Sequence, residues 1–195
     1  MHPSRTALIV ATGTVAFISV LHAQYGVTEK LFVSAGRIEM QLGAGSYTIR
    51  PASDTHIRVT IGDGSPRARV ALTANSTRAT IAVTETPSTN FQATIEVPKT
   101  SDLIVRLSGG NLVLSGIMGN KDIDSVAGNA EISIGDPNQY ASMEASVKAG
   151  DLNVGAFAGA KTEDSFGLLQ RASWSGKGKY TLKANLGAGN LVLRK

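Results

Sequence analysis

Between residues 51 and 100 apolar and polar residues alternate strictly, with turn residues between the runs: Ile57, Val59 and Ile61 end at Asp63-Gly64, Ala68, Val70 and Leu72 at Asn75, Ile81 and Val83 at Pro87, and Phe91, Ala93, Ile95 and Val97 at Pro98. A period of two puts successive side chains on opposite faces, so each run predicts a half-buried strand. Leu31, Val33, Ile38 and Met40 form shorter apolar patches before it. No stretch sustains a capped 3.6-residue period; a helical turn fits only near Asp136–Met143 or Lys161–Leu169. The chain is therefore predicted to be all-β. The segment 73–89 has a linker's Ser and Thr content, yet the alternation of Ile81 and Val83 keeps it inside the domain.

One motif recurs five times: Leu42–Arg50 (LGAGSYTIR), Leu107–Ser115 (LSGGNLVLS), Ser125–Ser133 (SVAGNAEIS), Val147–Gly155 (VKAGDLNVG) and Leu186–Arg194 (LGAGNLVLR). Its turn glycines are Gly45, Gly110, Gly128, Gly150 and Gly189. A small residue precedes each glycine, and a short polar one follows: Ser46, Asn111, Asn129, Asp151 or Asn190. Glycine allows a positive φ at a corner, and Asn or Asp is expected to steady the turn by bonding local backbone. The residues two and four places beyond the glycine, such as Leu112 and Leu114, are placed on the core face.

From Gly110 to Gly189 the turn glycines stand 18, 22 and 39 residues apart, and Gly119-Asn120 halves the first interval. A period near 20 with a half-period near 10 predicts a parallel β-solenoid-like core of short strands with Gly-Asn/Asp corners. Eight or nine rungs at ~4.8 Å would make a rod about 40 Å long. The alternative is an antiparallel hairpin meander or sandwich, because Gly-Asn and Gly-Asp are also hairpin turns. Residues 24–195 are taken as one domain, with a less regular β or cap region at 24–100 and the repeat region at 101–195. The segment 161–178 interrupts the repeat and is expected to protrude as a loop. Strand edges left open at either end would favour self-association.

Residues 1–23 have a basic start at Arg5, an apolar run from Leu8 to Leu21 and a small residue at Ala23, the pattern of a secretory signal cleaved after Ala23. This places the chain outside the cell or in the periplasm or envelope. Its loss lowers the net charge from +4 to +3. The remaining lysines, among them Lys121, Lys148 and Lys183, are dispersed, which argues against nucleic acid and for a solvated surface. With no cysteine in the chain, disulfides and thiolate chemistry are excluded.

The sequence Ile95-Glu-Val-Pro-Lys-Thr-Ser-Asp-Leu103, the Ala-Gly-Asn/Asp units from 107 to 155, and Gly176–Leu182 followed by Leu186–Leu193 resemble a family of bacterial secreted and envelope domains of unknown function, named for adhesins and related to autotransporter-adhesin heads. The resemblance implies a right-handed β-solenoid-like fold and surface or adhesive roles, and it brings no catalytic residues with it.

Little in the chain suits catalysis. His56 is the one histidine beyond residue 23 and falls on the polar phase of its strand, so no His-based triad or zinc site is available. Asp122 and Asp124 share one face of a strand; they are the metal or lyase-like candidates, set against a solvated strand face, since no third carboxylate or dedicated basic residue is evident on neighbouring rungs. Phe166, Arg171, Trp174 and Tyr180 gather aromatics in an aromatic-poor chain, either as a sugar- or protein-binding cluster or as a cover over the end of the core. Asn75-Ser-Thr77 matches a glycosylation sequon and Gly62-Asp-Gly64 a simple turn; neither is given a role. The expected function is a non-enzymatic, adhesin-like binding or structural module without cofactor, with a glycan or a surface or matrix component as partner. The alternatives are a polysaccharide-active, lyase-like enzyme and a self-assembling envelope module.

Overall fold

Each alternating run becomes a strand whose inward phase is buried and whose outward phase meets solvent. The computed structural model describes residues 27–32, 35–62, 67–87, 89–165 and 168–195; residues 1–23, expected from their sequence to be a signal, and Phe166 lie outside them. The described residues form one open, mixed sheet of fourteen strands, and their sole helical feature is a 3-10 turn at Pro137–Gln139, capped by Asp136.

The sheet is built from rungs with two arms that meet at a corner. In β10 (Lys121–Ser133), β11 (Tyr140–Asn153) and β14 (Tyr180–Arg194) the strand runs through the corner. Elsewhere it breaks there, giving the pairs β2 (Arg37–Leu42) with β3 (Gly45–Pro51), β6 (Arg78–Thr84) with β7 (Gln92–Val97), and β8 (Asp102–Leu107) with β9 (Gly110–Leu114). These six rungs are parallel and lie in the order β6/β7, β2/β3, β8/β9, β10, β14, β11. The margins are antiparallel. At one end β5 (Arg69–Ala74) joins β6, β4 (His56–Ile61) joins β7, and β1 (Val27–Leu31) joins β4; at the other, β13 (Gln170–Ser175) joins β11 and β12 (Lys161–Asp164) joins β13.

The five motif copies stack in register as the repeat predicts, with Gly45, Gly110, Gly128, Gly189 and Gly150 as successive partners. The order does not follow the chain. Residues 37–51 lie between 78–97 and 102–114, and the last strand, β14, is inserted between β10 and β11. The count also differs, because the long interval between Gly150 and Gly189 holds the hairpin β12–β13 and not a further rung. The segment expected as a protruding loop thus extends the sheet, and β2/β3 and β6/β7 carry parallel rungs of their own.

Both arms bury the same face. Along the first arm the inward rows run Ile38, Leu103, Lys121, Leu182, Met143; Met40, Val105, Ile123, Ala184, Ala145; and Leu42, Leu107, Ser125, Leu186, Val147. Along the second, Tyr47, Leu112, Ala130 and Leu191 are buried side by side. These side chains belong to one core, and each fully buried Leu or Ile stabilises it by about 1.5–3 kcal/mol. The arms face one another: Phe157, which follows the second arm of β11, packs 5.8 Å from Tyr140 at the start of its first arm and 5.1 Å from Trp174.

Beside the glycine stack runs a side-chain ladder. Asn190 donates to Asn129 Oδ1 at 2.9 Å, Asn129 to Asn111 Oδ1 at 3.1 Å, and Asn111 to Ser46 Oγ at 3.4 Å. The asparagines therefore bond to one another across rungs rather than to local backbone. At β11 the row continues with Asp151, the partner of Asn190, whose carboxylate has no amide proton to pass on. Asp151→Asn extends the ladder by one bond; the expected gain is about 0.5–1 kcal/mol, read as a melting temperature higher by about 2 °C.

Among the inward rows, Lys121 sets a charge where the others are apolar or, at Ser125, a small hydroxyl. Lys121 is 1% exposed, where dispersal of the lysines suggested a solvated surface. Its Nζ donates to Gly119 O at 3.1 Å and to Tyr140 Oη at 2.7 Å, and lies 5.1 Å from the Tyr140 ring centroid. The sign was in the alternation, for Lys121 shares the phase of Ile123 and Ser125.

Candidate binding face

The outward residues of the first arm form two rows across the stack. One contains Glu39, Ile104, Asp122, Lys183, Glu144, Ser173 and Lys161; the other contains Gln41, Arg106, Asp124, Asn185, Ser146, Arg171 and Glu163. Rung spacing near 4.8 Å places each polar group within reach of the next.

A continuous chain of bonds fixes the middle of the second row, from Arg106 to Ser146. Ser146 Oγ donates to Asn185 Oδ1 at 2.8 Å, and Asn185 Nδ2 donates to Asp124 Oδ1 at 2.7 Å. Arg106 closes the chain: its Nε lies 3.2 Å from Asp124 Oδ2, while its terminal nitrogens reach both Asp122 carboxylate oxygens at 3.2 and 3.1 Å. The guanidinium fork holds two carboxylates at once, a charge-assisted geometry that orients all three side chains. A further carboxylate, Asp102, accepts from the Asn120 backbone N–H and side chain, and Asn120 Oδ1 accepts from Thr181.

Among the described residues, three grooves lie along this face. The central one, about 440 Å³, has Arg106, Asp124, Asn185 and Ser146 on one wall and Ser108, Val126, Gly187 and Lys148 toward the corner. A groove of about 370 Å³ between Glu144, Lys161, Glu163 and Arg171 continues it toward β12, and one of about 450 Å³ at Arg37, Asp102, Asp122 and Lys183 continues it along the strands. The surface offers both charges and amides, held in place beforehand, beside the exposed apolar side chain of Val126.

The structure separates the residues that the sequence grouped. Asp122 and Asp124 are on this face, bridged by Arg106 from the adjacent rung, the basic residue that seemed absent from matching positions. Among the described residues no three His, Asp or Glu side chains cluster to hold a metal. Arg171 is on the face, opposite Glu163. Trp174, on the other side of β13, is half-buried against Phe157. Tyr180 packs 6.1 Å from Tyr140 beneath Lys179, whose Nζ is 4.8 Å from its ring centroid. His56 opens β4, with Nδ1 3.4 Å from Asp54 Oδ1.

Arg106 and Asn185 lay outside the motif for a simple reason. Gln41, Arg106, Asp124, Asn185 and Ser146 each stand four residues before a turn glycine. The repeated motif begins three residues before that glycine, so the row lies one position outside it.

No described helix is long and apolar enough to cross a membrane. No family model and no curated protein matches the chain. Among solved structures, a candidate cell adhesion protein from Clostridium sporogenes aligns over 87% of this chain and 98% of its own, at 11% identity and a TM-score of 0.54. Candidate adhesins from Parabacteroides distasonis and Parabacteroides merdae align over 87% and 86% of this chain and 70% and 92% of their own, at 12% and 11% identity, both with TM-scores of 0.24. The chain thus shares its overall fold with the Clostridium sporogenes protein.

Proposed function

We propose that this chain is a non-enzymatic, adhesin-like binding module of the bacterial envelope or cell exterior, in which a solenoid-like stack presents the first-arm face to a glycan or matrix component. The observation that carries this reading is the row Arg106–Asp124–Asn185–Ser146, bonded from rung to rung beside an open groove. A row held this way loses little side-chain freedom on binding, which favours recognition of an extended polar ligand. The pairing of Asp122 and Asp124 with Arg106 also supports a role without a carboxylate-bound metal, since calcium would have to displace the guanidinium. Adhesion in the name of the Clostridium sporogenes protein agrees with this reading.

The test is binding of the purified chain to arrays of glycans and matrix proteins. Lys148→Glu and Asn185→Ala alter groove side chains outside the core and are expected to weaken any bound ligand by about tenfold, with the melting temperature retained. A ligand whose affinity ignores both substitutions places the site elsewhere, and an array with no ligand removes the reading.

A further inference from the structure

The last strand of the sheet is β12, Lys161–Asp164, which pairs with β13 along one side and ends the strand order. All four of its residues are exposed. A free strand edge is a template for another strand, and proteins commonly blunt such edges with charge. Here the charges have an order. Lys161 and Glu163 point to the outer face, beside Ser173 and Arg171, with Thr162 between them on the other face.

Turned through a two-fold axis perpendicular to the sheet, the segment Lys161-Thr162-Glu163 is its own complement. Thr162 falls opposite the same residue of the second copy, Lys161 opposite Glu163, and Glu163 opposite Lys161. Opposed residues then share both the face and the hydrogen-bonding phase, as antiparallel pairing requires. A register displaced by one residue sets side chains of opposite faces against each other, and one displaced by two sets Lys161 opposite itself, so electrostatics selects a single alignment.

We propose that β12 is the interface of an isologous dimer, in which two copies of this chain join edge to edge and their sheets become continuous. The interaction is closed by its two-fold axis, so it ends at two copies and does not grow into a fibre. It also touches the candidate binding face. Lys161 and Glu163 form one wall of the groove that holds Glu144, Ser146 and Arg171. In the dimer the second copy's strand extends that wall, and two faces lie side by side on one surface, which raises avidity for a repeating ligand. The pairing stands on the strand edge alone and does not depend on any ligand.

Sedimentation equilibrium of the full chain is expected to show a monomer–dimer equilibrium. Lys161→Glu places like charges opposite one another at both symmetry-related pairs and weakens the dimer by about tenfold. Glu163→Lys does the same, and the double exchange Lys161→Glu/Glu163→Lys restores it, which loss of folding in either single variant cannot imitate. Because the chain has no cysteine, Thr162→Cys is expected to form a disulfide-linked dimer on mild oxidation, faster than Ser76→Cys at the exposed β5–β6 turn. A chain that stays monomeric at the highest soluble concentration overturns the proposal. So does a dimer indifferent to both charge reversals, or a Thr162→Cys dimer that forms no faster than the Ser76→Cys control. Ligand binding by a strictly monomeric chain would leave the binding face in place and refute the dimer alone.

Discussion

Gly128→Ala is expected to leave the chain unable to hold its native sheet. Gly128 has φ +121°, and the methyl group that alanine adds would overlap the Gly110 carbonyl oxygen and stand 2.6 Å from its carbon. Backbone atoms of the adjacent rung cannot turn aside as a flexible side chain can. The same relation repeats along the stack, where the missing Cβ of Gly110 points at Gly45 O, that of Gly189 at Gly128 O and that of Gly150 at Gly189 O. Relief at one corner would therefore have to move its neighbours, and the hydrogen-bonded registry of both arms with them.

The expected loss is about 5 kcal/mol or more, comparable with the whole stability of an ordinary domain. Urea unfolding checks it, with Gly135→Ala as the contrast. Gly135 also has a positive φ, +71°, but an added methyl there meets nothing within 4 Å. It is expected to cost only the backbone strain, about 1–2 kcal/mol. Equal losses at the two sites would show that conformational freedom, and not close approach between rungs, is what the corner glycines provide.

Stability is also expected to rise with pH between about 8 and 10 because of Lys121. Burial lowers its pKa from 10.5 to about 8, and the charge of Asp102 offsets part of that shift. In this window the unfolded chain keeps the proton that the native state has released, so the unfolded state binds more protons and raising the pH favours folding. The slope is about 1.4 kcal/mol per pH unit, and the full displacement corresponds to about 3 kcal/mol. Below pH 8 both states are protonated and the penalty is constant.

Lys121→Met removes this titration, at the cost of leaving Tyr140 Oη and Gly119 O without their donor. Near neutrality these effects oppose each other, so the informative quantity is the difference between the two proteins. Wild type minus Lys121→Met is expected to be flat below pH 8 and to climb from there. Burial holds the phenols of Tyr47 and Tyr140 well above their ordinary range, which works against folding above pH 10 in both proteins and largely cancels in the difference. A flat difference from pH 7 to 10 would mean that Lys121 titrates as a solvated amine.

Much of the core was legible before the structure. Ile57, Val59, Ile81, Val83, Ile95 and Val97 are buried as their alternation requires, and the five turn glycines are mutual partners. Lys121 was legible too, had phase been given precedence over charge. The face around Arg106 was half legible: its offset from the turn glycine is regular, but the choice of Arg106 as the partner of both Asp122 and Asp124 depends on which rung lies next to β10. Trp174 and Arg171, three residues apart, could only be told apart once β13 had a defined inner side.

By itself, then, the sequence determined the strand character of the chain, its buried phase, the corners and the register in which the copies meet. Those properties are local or periodic: a two-residue alternation and a glycine that tolerates no Cβ. The tertiary structure alone decided the order of the rungs, the antiparallel margins and the pairing of Arg106 with two carboxylates. The reason is the repeat itself. Copies with nearly equivalent inward residues and the same glycine corner can neighbour one another in many orders, and local pattern assigns them nearly the same energy. The choice between β10–β14–β11 and the order of the chain rests on long-range packing, which no local pattern encodes.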